Sequence, residues 1–257
     1  MIDPRALIDP TAKIADSVTI GAFSIIGADV EIGEGTWIGS HVVIKGPTKI
    51  GKNNKIYQFA SLGEDPQDKK YAGERSFLEI GDHNEIREFC TMSRGTSGGG
   101  GITKIGNHNW LMVYTHFAHD CIVGDHTIFA NNASLAGHAI VGDYAILGGF
   151  TGVHQFCRIG AHSFVAGGSI VIKDVPPYVM AAGNSAKANG LNKEGLKRRG
   201  FSPETLNYLR QAYKIIYRQN LTTNAAIETL TQTLLPHCPE IQNFIDFLHN
   251  ATRGIVR

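Results

Sequence analysis

A period of six constrains this chain more than any other feature. Aliphatic residues fall at Ile2, Ile8, Ile14, Ile20, Ile26, Ile32, Ile38, Ile44, Ile50, Ile56 and Leu62. The beat returns at Ile80, Ile86 and Met92, then runs from Ile105 through Leu111, Phe117, Val123, Phe129, Leu135, Val141, Leu147, Val153, Ile159 and Val165 to Val171. Four residues after nearly every beat stands a small or β-branched residue, such as Ser24, Val30, Cys121, Thr127 or Ala133, and the residue just after the beat is often glycine. A helix repeats about every 3.6 residues and a half-buried strand about every two, and neither gives six. Six fits a short strand plus a corner, with the large and the small residue both pointing inward. Three such units close a triangular coil of about 18 residues, and coils stacked about 4.8 Å apart pair backbone to backbone. The prediction is a mainly β chain, a parallel β-helix over residues 1–184, followed by a helical domain over 185–257.

Two stretches break the beat. Between Leu62 and Ile80 it would fall on Asp68 and Glu74, which cannot fill an apolar prism. Residues 63–77 are therefore expected to leave the coil as a loop. A second loop is expected at 93–103, where SRGTSGGGGIT shifts the phase by one residue. Its glycine run lacks the GK[ST] ending of a phosphate-binding loop and reads as a flexible excursion. Long loops inside a compact repeat domain are often functional. Beyond Val171, the pair Pro176-Pro177 ends the repeat. Ser202-Pro203-Glu204 caps a helix carrying Leu206, Leu209, Ala212, Tyr213, Ile216 and Tyr217 at helical spacing, and two more helices are expected near 223–235 and 239–252.

Net charge is +1, which gives no global signal for nucleic acid. From Ser185 onward ten Lys/Arg face five Asp/Glu, a local +5 that points to an anionic partner. Four scattered cysteines without a CxxC pair, and no apolar run long enough for a membrane span, lead to the expectation of a cytoplasmic protein without stable membrane insertion.

With the beat fixed, outward residues can be assigned to faces. Phe117, Leu135 and Val153 are spaced by 18 and share one face of successive coils. His116, His119, His138 and His154 cluster there, with Asp120 one coil before His138 and Gln155 nearby. Solvated surface histidines are the ordinary alternative, and a histidine-bound zinc is another.

The segments IYQFASLGEDPQDKKYAGE, HFAHDCIVGD, NNASLAGHAIVGDYAILGG, VHQFCRIGAHSFV, DVPPYVMAAGN and EGLKRRGFS, in that order, resemble the UDP-N-acetylglucosamine O-acyltransferases, a family of hexapeptide-repeat left-handed β-helix enzymes. The resemblance covers essentially the whole chain. It supplies the left hand, since the general rule for parallel crossovers gives the opposite one. It implies a homotrimer with sites between subunits, and no cofactor or metal. The implied reaction moves a 3-hydroxyacyl chain from acyl carrier protein to the glucosamine 3-hydroxyl of UDP-N-acetylglucosamine, the first step of lipid A synthesis. An amino-sugar acceptor, or a zinc-dependent hydratase of the same fold, is the alternative.

By the same resemblance His119 is the general base, Asp120 its orienting partner and the Gly137 N–H the oxyanion donor. Gln67, Asp68, Lys70, His116, His138 and Gln155 would contact the sugar. Asn192, Glu194 and Arg198 would address uridine and phosphate. His154 and Gly167 would line the acyl groove, and Arg199, Arg210, Lys214 and Arg218 would suit an acidic carrier. An imidazole suits the base role because its ordinary pKa lies near neutrality. Three residues depart from the family pattern: Ser93 and Ser185 stand where histidines are common, and Ala166 where glycine is frequent.

Overall fold

The computed structural model describes all 257 residues. Strands of two to five residues coil into three parallel sheets of nine, eight and ten strands, the ten-stranded one ending in an antiparallel hairpin. Each strand pairs with the one a full coil later, as in Phe117 opposite Leu135 and Leu135 opposite Val153. Every beat residue from Ile20 to Val171 is buried, and so are the small partners Ser24, Val30, Cys121, Thr127 and Ala133. The predicted inward pair is therefore the prism core. At one corner the small position holds Asn54, Asn84 and Asn109 instead. Each side-chain oxygen accepts the backbone N–H one coil on, at 2.7 to 2.9 Å, which offsets the cost of burial, while the Asn109 side-chain nitrogen has no partner.

The corners turn through the left-handed backbone region at the third residue after the beat. Phe23, His41, Phe59, Phe89, Tyr114, Asp120, His138 and Phe156 all have φ between 58° and 65°. For residues with a β-carbon this costs roughly 1–2 kcal/mol each. Stacking offsets part of it. Along one edge the rings of Phe23, His41, Phe59, Phe89 and Tyr114 stack at 4.8 to 5.5 Å. Along a second edge His83, His108, His126, Tyr144 and His162 do so at 4.7 to 4.8 Å.

The third edge, between the nine- and eight-stranded sheets, carries neither column. Both insertions leave there, on consecutive coils, and both return in register. Leu78 pairs with Thr48 and Ile80 with Ile50 across the first, and Ile80 with Ile105 across the second. The strands flanking them are Ser61–Glu64, Phe77–Ile80, Thr91–Ser93 and Ile102–Ile105, so the loops proper are 65–76 and 94–101. The expectation of a flexible second excursion is corrected. Ser93, Arg94 and Thr96 are buried, and Ser97–Gly99 forms a short 3-10 turn.

The chain then leaves the coil through an antiparallel hairpin of Val179–Ala182 and Lys187–Leu191. Four helices follow: α1 (Lys193–Arg198), α2 (Pro203–Arg218), α3 (Thr223–Thr233) and α4 (Ile241–His249). Ser202 caps α2 as expected, its side chain accepting the Thr205 N–H. The last coil is covered by α4, where Phe244 meets Tyr178 edge-on and Asn243 reaches the Tyr178 hydroxyl.

Packing at this end creates a pH-sensitive group. His162 is stacked between Tyr144 and Tyr178, and burial, then the nearby Arg199 guanidinium, push its pKa down to about 4. The folded value lies below the unfolded one, so the contribution is intact above about pH 6.5 and is lost as pH falls toward about 4. His162→Phe keeps the stack and removes the proton. Urea unfolding should show a smaller loss of stability between pH 7 and 4.5 for this variant, by about 2 kcal/mol after allowance for partial exposure. Identical pH dependence in both proteins would contradict the assignment.

Candidate functional site

The edge that carries the insertions also carries the histidines. Beneath the two loops, the next coil places His119 and Asp120 at the corner. The left-handed turn at Asp120, φ 60°, brings two successive side chains to the same side. His119 Nδ1 lies 2.8 Å from Asp120 Oδ2. An ionised carboxylate only accepts, so Nδ1 carries the hydrogen and Nε2 keeps a lone pair. The Asp120 side chain is fully buried. Its Oδ1 accepts the Thr96 N–H at 2.8 Å, its Oδ2 also accepts the Thr96 hydroxyl at 2.7 Å, and its own N–H donates to Thr103 Oγ1 at 2.8 Å. Three donors therefore hold the buried carboxylate in place, two of them on Oδ2.

One coil on, His138 stands above Asp120. Its Nε2 is 3.8 Å from Asp120 Oδ2, its ring meets His119 edge-on at 5.1 Å, and it stacks on Phe156 at 4.3 Å. His119, Asp120 and His138 thus have ligand atoms within 4.8 Å of one another, close enough to surround a cation. Gly137 is packed under the imidazole: a β-carbon there would lie 2.6 Å from His119 Cε1 and 2.7 Å from Nε2. Its N–H has no acceptor within the chain.

The imidazole opens onto a groove of about 540 Å³ whose walls include Gln67, His116, Gly137, His154 and Gln155. The Thr91 hydroxyl fixes His116 through Nδ1 at 2.7 Å, and burial lowers its pKa. His154 and Gln155 are exposed, and the Gln155 carbonyl lies 3.1 Å from His154 Nδ1. Asp68 and Lys70 lie on the loop that delivers Gln67, where Asp68 Oδ1 accepts the Lys70 N–H at 2.9 Å. They do not line the groove.

Four expected residues lie elsewhere in the subunit. Gly167 is exposed at the neighbouring corner, beside Gly149. Asn192 caps α1, taking the Gly195 N–H and donating to the His162 carbonyl at 3.0 Å. Glu194 and Arg198 are exposed on that short helix, at the edge of the stacked histidines. A single subunit therefore does not bring them to His119. Of the basic residues expected to meet a carrier, Arg210, Lys214 and Arg218 are exposed. Arg199 instead lies half-buried over the Tyr144 ring.

Parallel coils of six-residue repeats with an imidazole–carboxylate pair at one edge define a hexapeptide-repeat β-helix protein with a candidate acid–base site. The family model described as bacterial transferase hexapeptide (six repeats) matches residues 29–64 and 102–137. A second family model, described as UDP-N-acetylglucosamine O-acyltransferase, domain 2, matches residues 174–256. The acyl-[acyl-carrier-protein]–UDP-N-acetylglucosamine O-acyltransferase of Thiobacillus denitrificans is 60% identical over 256 residues, 100% of this chain and 99% of that protein. The enzyme of the same name from Stutzerimonas stutzeri is 55% identical over 257 residues, again 100% and 99% of the two chains. Among solved structures, the UDP-N-acetylglucosamine O-acyltransferase of Moraxella catarrhalis is 54% identical with a TM-score of 0.98, covering 100% of this chain and 99% of that one. The chain belongs to the UDP-N-acetylglucosamine O-acyltransferase family. No helix is long and apolar enough to cross a membrane.

Proposed function

We propose that the chain transfers a 3-hydroxyacyl group from acyl carrier protein to the glucosamine 3-hydroxyl of UDP-N-acetylglucosamine, the first step of lipid A synthesis, in the cytoplasm. The observation that carries this reading is the His119–Asp120 pair, with Nε2 free over the groove beside the unoccupied N–H of Gly137. Nε2 removes the proton of the sugar hydroxyl as its oxygen attacks the thioester carbonyl. The Gly137 N–H stabilises the oxyanion of the tetrahedral intermediate. As the intermediate collapses, the carrier's thiolate leaves and takes the proton from His119. General-base assistance is worth about 10²–10⁴-fold, and one oxyanion donor about 10²–10³-fold.

In this reading Gln67, Asp68, Lys70, His116, His138 and Gln155 hold the sugar. His154 faces the acyl chain. Asn192, Glu194 and Arg198 address uridine and phosphate from an adjacent subunit, since within one subunit they are remote from the pair. Gly167 limits the acyl groove in the same way. That division of labour calls for a homotrimer with sites between subunits. Residues 1–184 then supply the chemistry, and 185–257 address the nucleotide and, through Arg210, Lys214 and Arg218, the carrier. The spacing of His119, Asp120 and His138 would admit a cation, but the Asp120 oxygens already accept from Thr96 and His119, which fits a hydrogen-bonded pair better than a ligand set.

Acyl-transfer assays with carrier-bound 3-hydroxyacyl chains of several lengths, offered UDP-N-acetylglucosamine and its 3-amino analogue, test the proposal. Transfer to the hydroxyl acceptor is expected. Turnover of the amine alone, or activity lost to chelators and restored by zinc, would replace it. Gly137→Ala adds a methyl where the ring stands and should lower kcat by about tenfold or more, with little change in thermal stability.

A further inference from the structure

The second insertion contributes nothing to substrate recognition in the reading above, yet it is built onto the reacting pair. Thr96 is 5% exposed, and both of its donors are spent on Asp120. Its carbonyl accepts the N–H groups of Gly99 and Gly101, at 3.0 and 2.8 Å, so the turn is closed on itself. Gly99 lies so tightly over the carboxylate that a β-carbon there would overlap it.

Two residues before Thr96, the buried Arg94 guanidinium donates to the carbonyls of Gly46 and Gly63, at 3.1 and 2.5 Å. It also reaches the Tyr71 hydroxyl at 3.1 Å and pairs with Asp65 of the first loop. Glu74, also of the first loop, accepts the N–H and hydroxyl of Ser97 at 3.2 and 3.1 Å. The two loops are joined into one body, with Gln67 in the groove at one end and Thr96 on Asp120 at the other.

We infer that Thr96 is a positioning residue for the acyl transfer: its paired hydrogen bonds hold the Asp120 carboxylate in the orientation that keeps the hydrogen on His119 Nδ1 and turns Nε2 to the groove. Arg94 anchors the turn that carries it. The inference rests on His119 as the base. Its chemical content is a balance of charge. The Thr96 hydroxyl draws on the same Oδ2 that faces His119. Without that donor the carboxylate turns more of its charge to the imidazole, which favours imidazolium. The base then becomes free only at higher pH, and the carboxylate loses its fixed angle.

The test uses the full chain, with kcat and KM followed from about pH 5.5 to 9. Thr96→Val keeps the shape and the N–H and removes the hydroxyl. It should lower kcat by about ten- to a hundredfold, leave KM for UDP-N-acetylglucosamine within about twofold, and move the acid limb of the profile to higher pH. Thr96→Ser should restore both. A Thr96→Val enzyme with unchanged kcat and unmoved acid limb would overturn the inference. So would a Thr96→Ser enzyme as impaired as valine, because the residue would then serve packing alone. If valine unfolds the chain, seen as loss of β circular dichroism, Thr96→Ala makes the same comparison with less bulk. His119→Ala, run in parallel, separates the two ideas. Full activity there removes the base assignment, whereas an inactive His119→Ala beside a normal Thr96→Val removes the role of Thr96 only.

Discussion

His119→Ala should abolish measurable acyl transfer, a loss of at least about 10²–10⁴-fold, while the purified protein keeps its β circular dichroism and its unfolding midpoint. The expectation follows from where the ring lies. It is outside the prism, and its side chain is 14% exposed over the groove. It makes one hydrogen bond, to a carboxylate that Thr96 also holds. Removing it therefore costs the fold little and leaves the sugar hydroxyl without a base. Two results are informative on the other side. Near-normal turnover would dismiss His119 as base. Loss of turnover together with loss of the folded state would mean that the ring is structural and that Asp120 must have it for burial.

Phe117→Ala should have the largest effect on stability. The beat residue between His116 and Ala118 is fully buried and packs against Phe129 across the prism at a ring distance of 4.8 Å. Truncating a buried phenylalanine costs about 3–5 kcal/mol, part lost burial and part the cavity left behind. The hydrogen-bonded strands on either side limit how far the coil can collapse into the hole, which places the expected value in the upper half of that range. Denaturant unfolding measures it. A loss below about 1 kcal/mol would show that the prism repacks freely. Because Phe117 lies directly behind His116 and two residues before His119, the surviving folded fraction should also show reduced kcat.

Much of this architecture was legible because the beat leaves so little choice. Ile20 to Val171 occupy the interior as counted, and the breaks at Asp68 and Glu74 are where the chain leaves the coil. The histidine cluster was legible for the same reason: residues 18 apart must stack, so Asp120 falls under His138. Other features were hidden because a period of six says nothing about backbone conformation at the corner. The bend that joins His119 to Asp120 needs a left-handed residue at the third place after the beat. The signal was present in the column Phe23, His41, Phe59, Phe89 and Tyr114, but reading it required knowing that a corner turns there.

The second insertion was misjudged for a different reason. Its glycines read as freedom, whereas Gly99 serves a close approach to a buried carboxylate and Arg94 and Thr96 tie the segment down. Nothing in the composition of SRGTSGGGG distinguishes the two cases. Only the partner, 24 positions away from Thr96, does. Asn192, Glu194 and Arg198 were placed by resemblance alone, and the subunit keeps them apart from His119. The separation is physical, since they sit at another edge of the prism.

The edge at which both insertions leave has a consequence for how such a molecule can change. The other two edges are continuous columns of rings over much of their length, and an added residue there would interrupt them. At the third edge the coil has opened twice, with one bulge between Leu62 and Glu64 where the chain departs, and closed again in register. Lengthening a loop costs little more as it grows, only about 0.6 kcal/mol for each doubling. That edge therefore works as a socket, where segments of different length and chemistry can be exchanged above an unchanged scaffold. If His119 and Asp120 act as proposed, a pair set directly beneath such a socket can be offered new acceptors without a single substitution in the core.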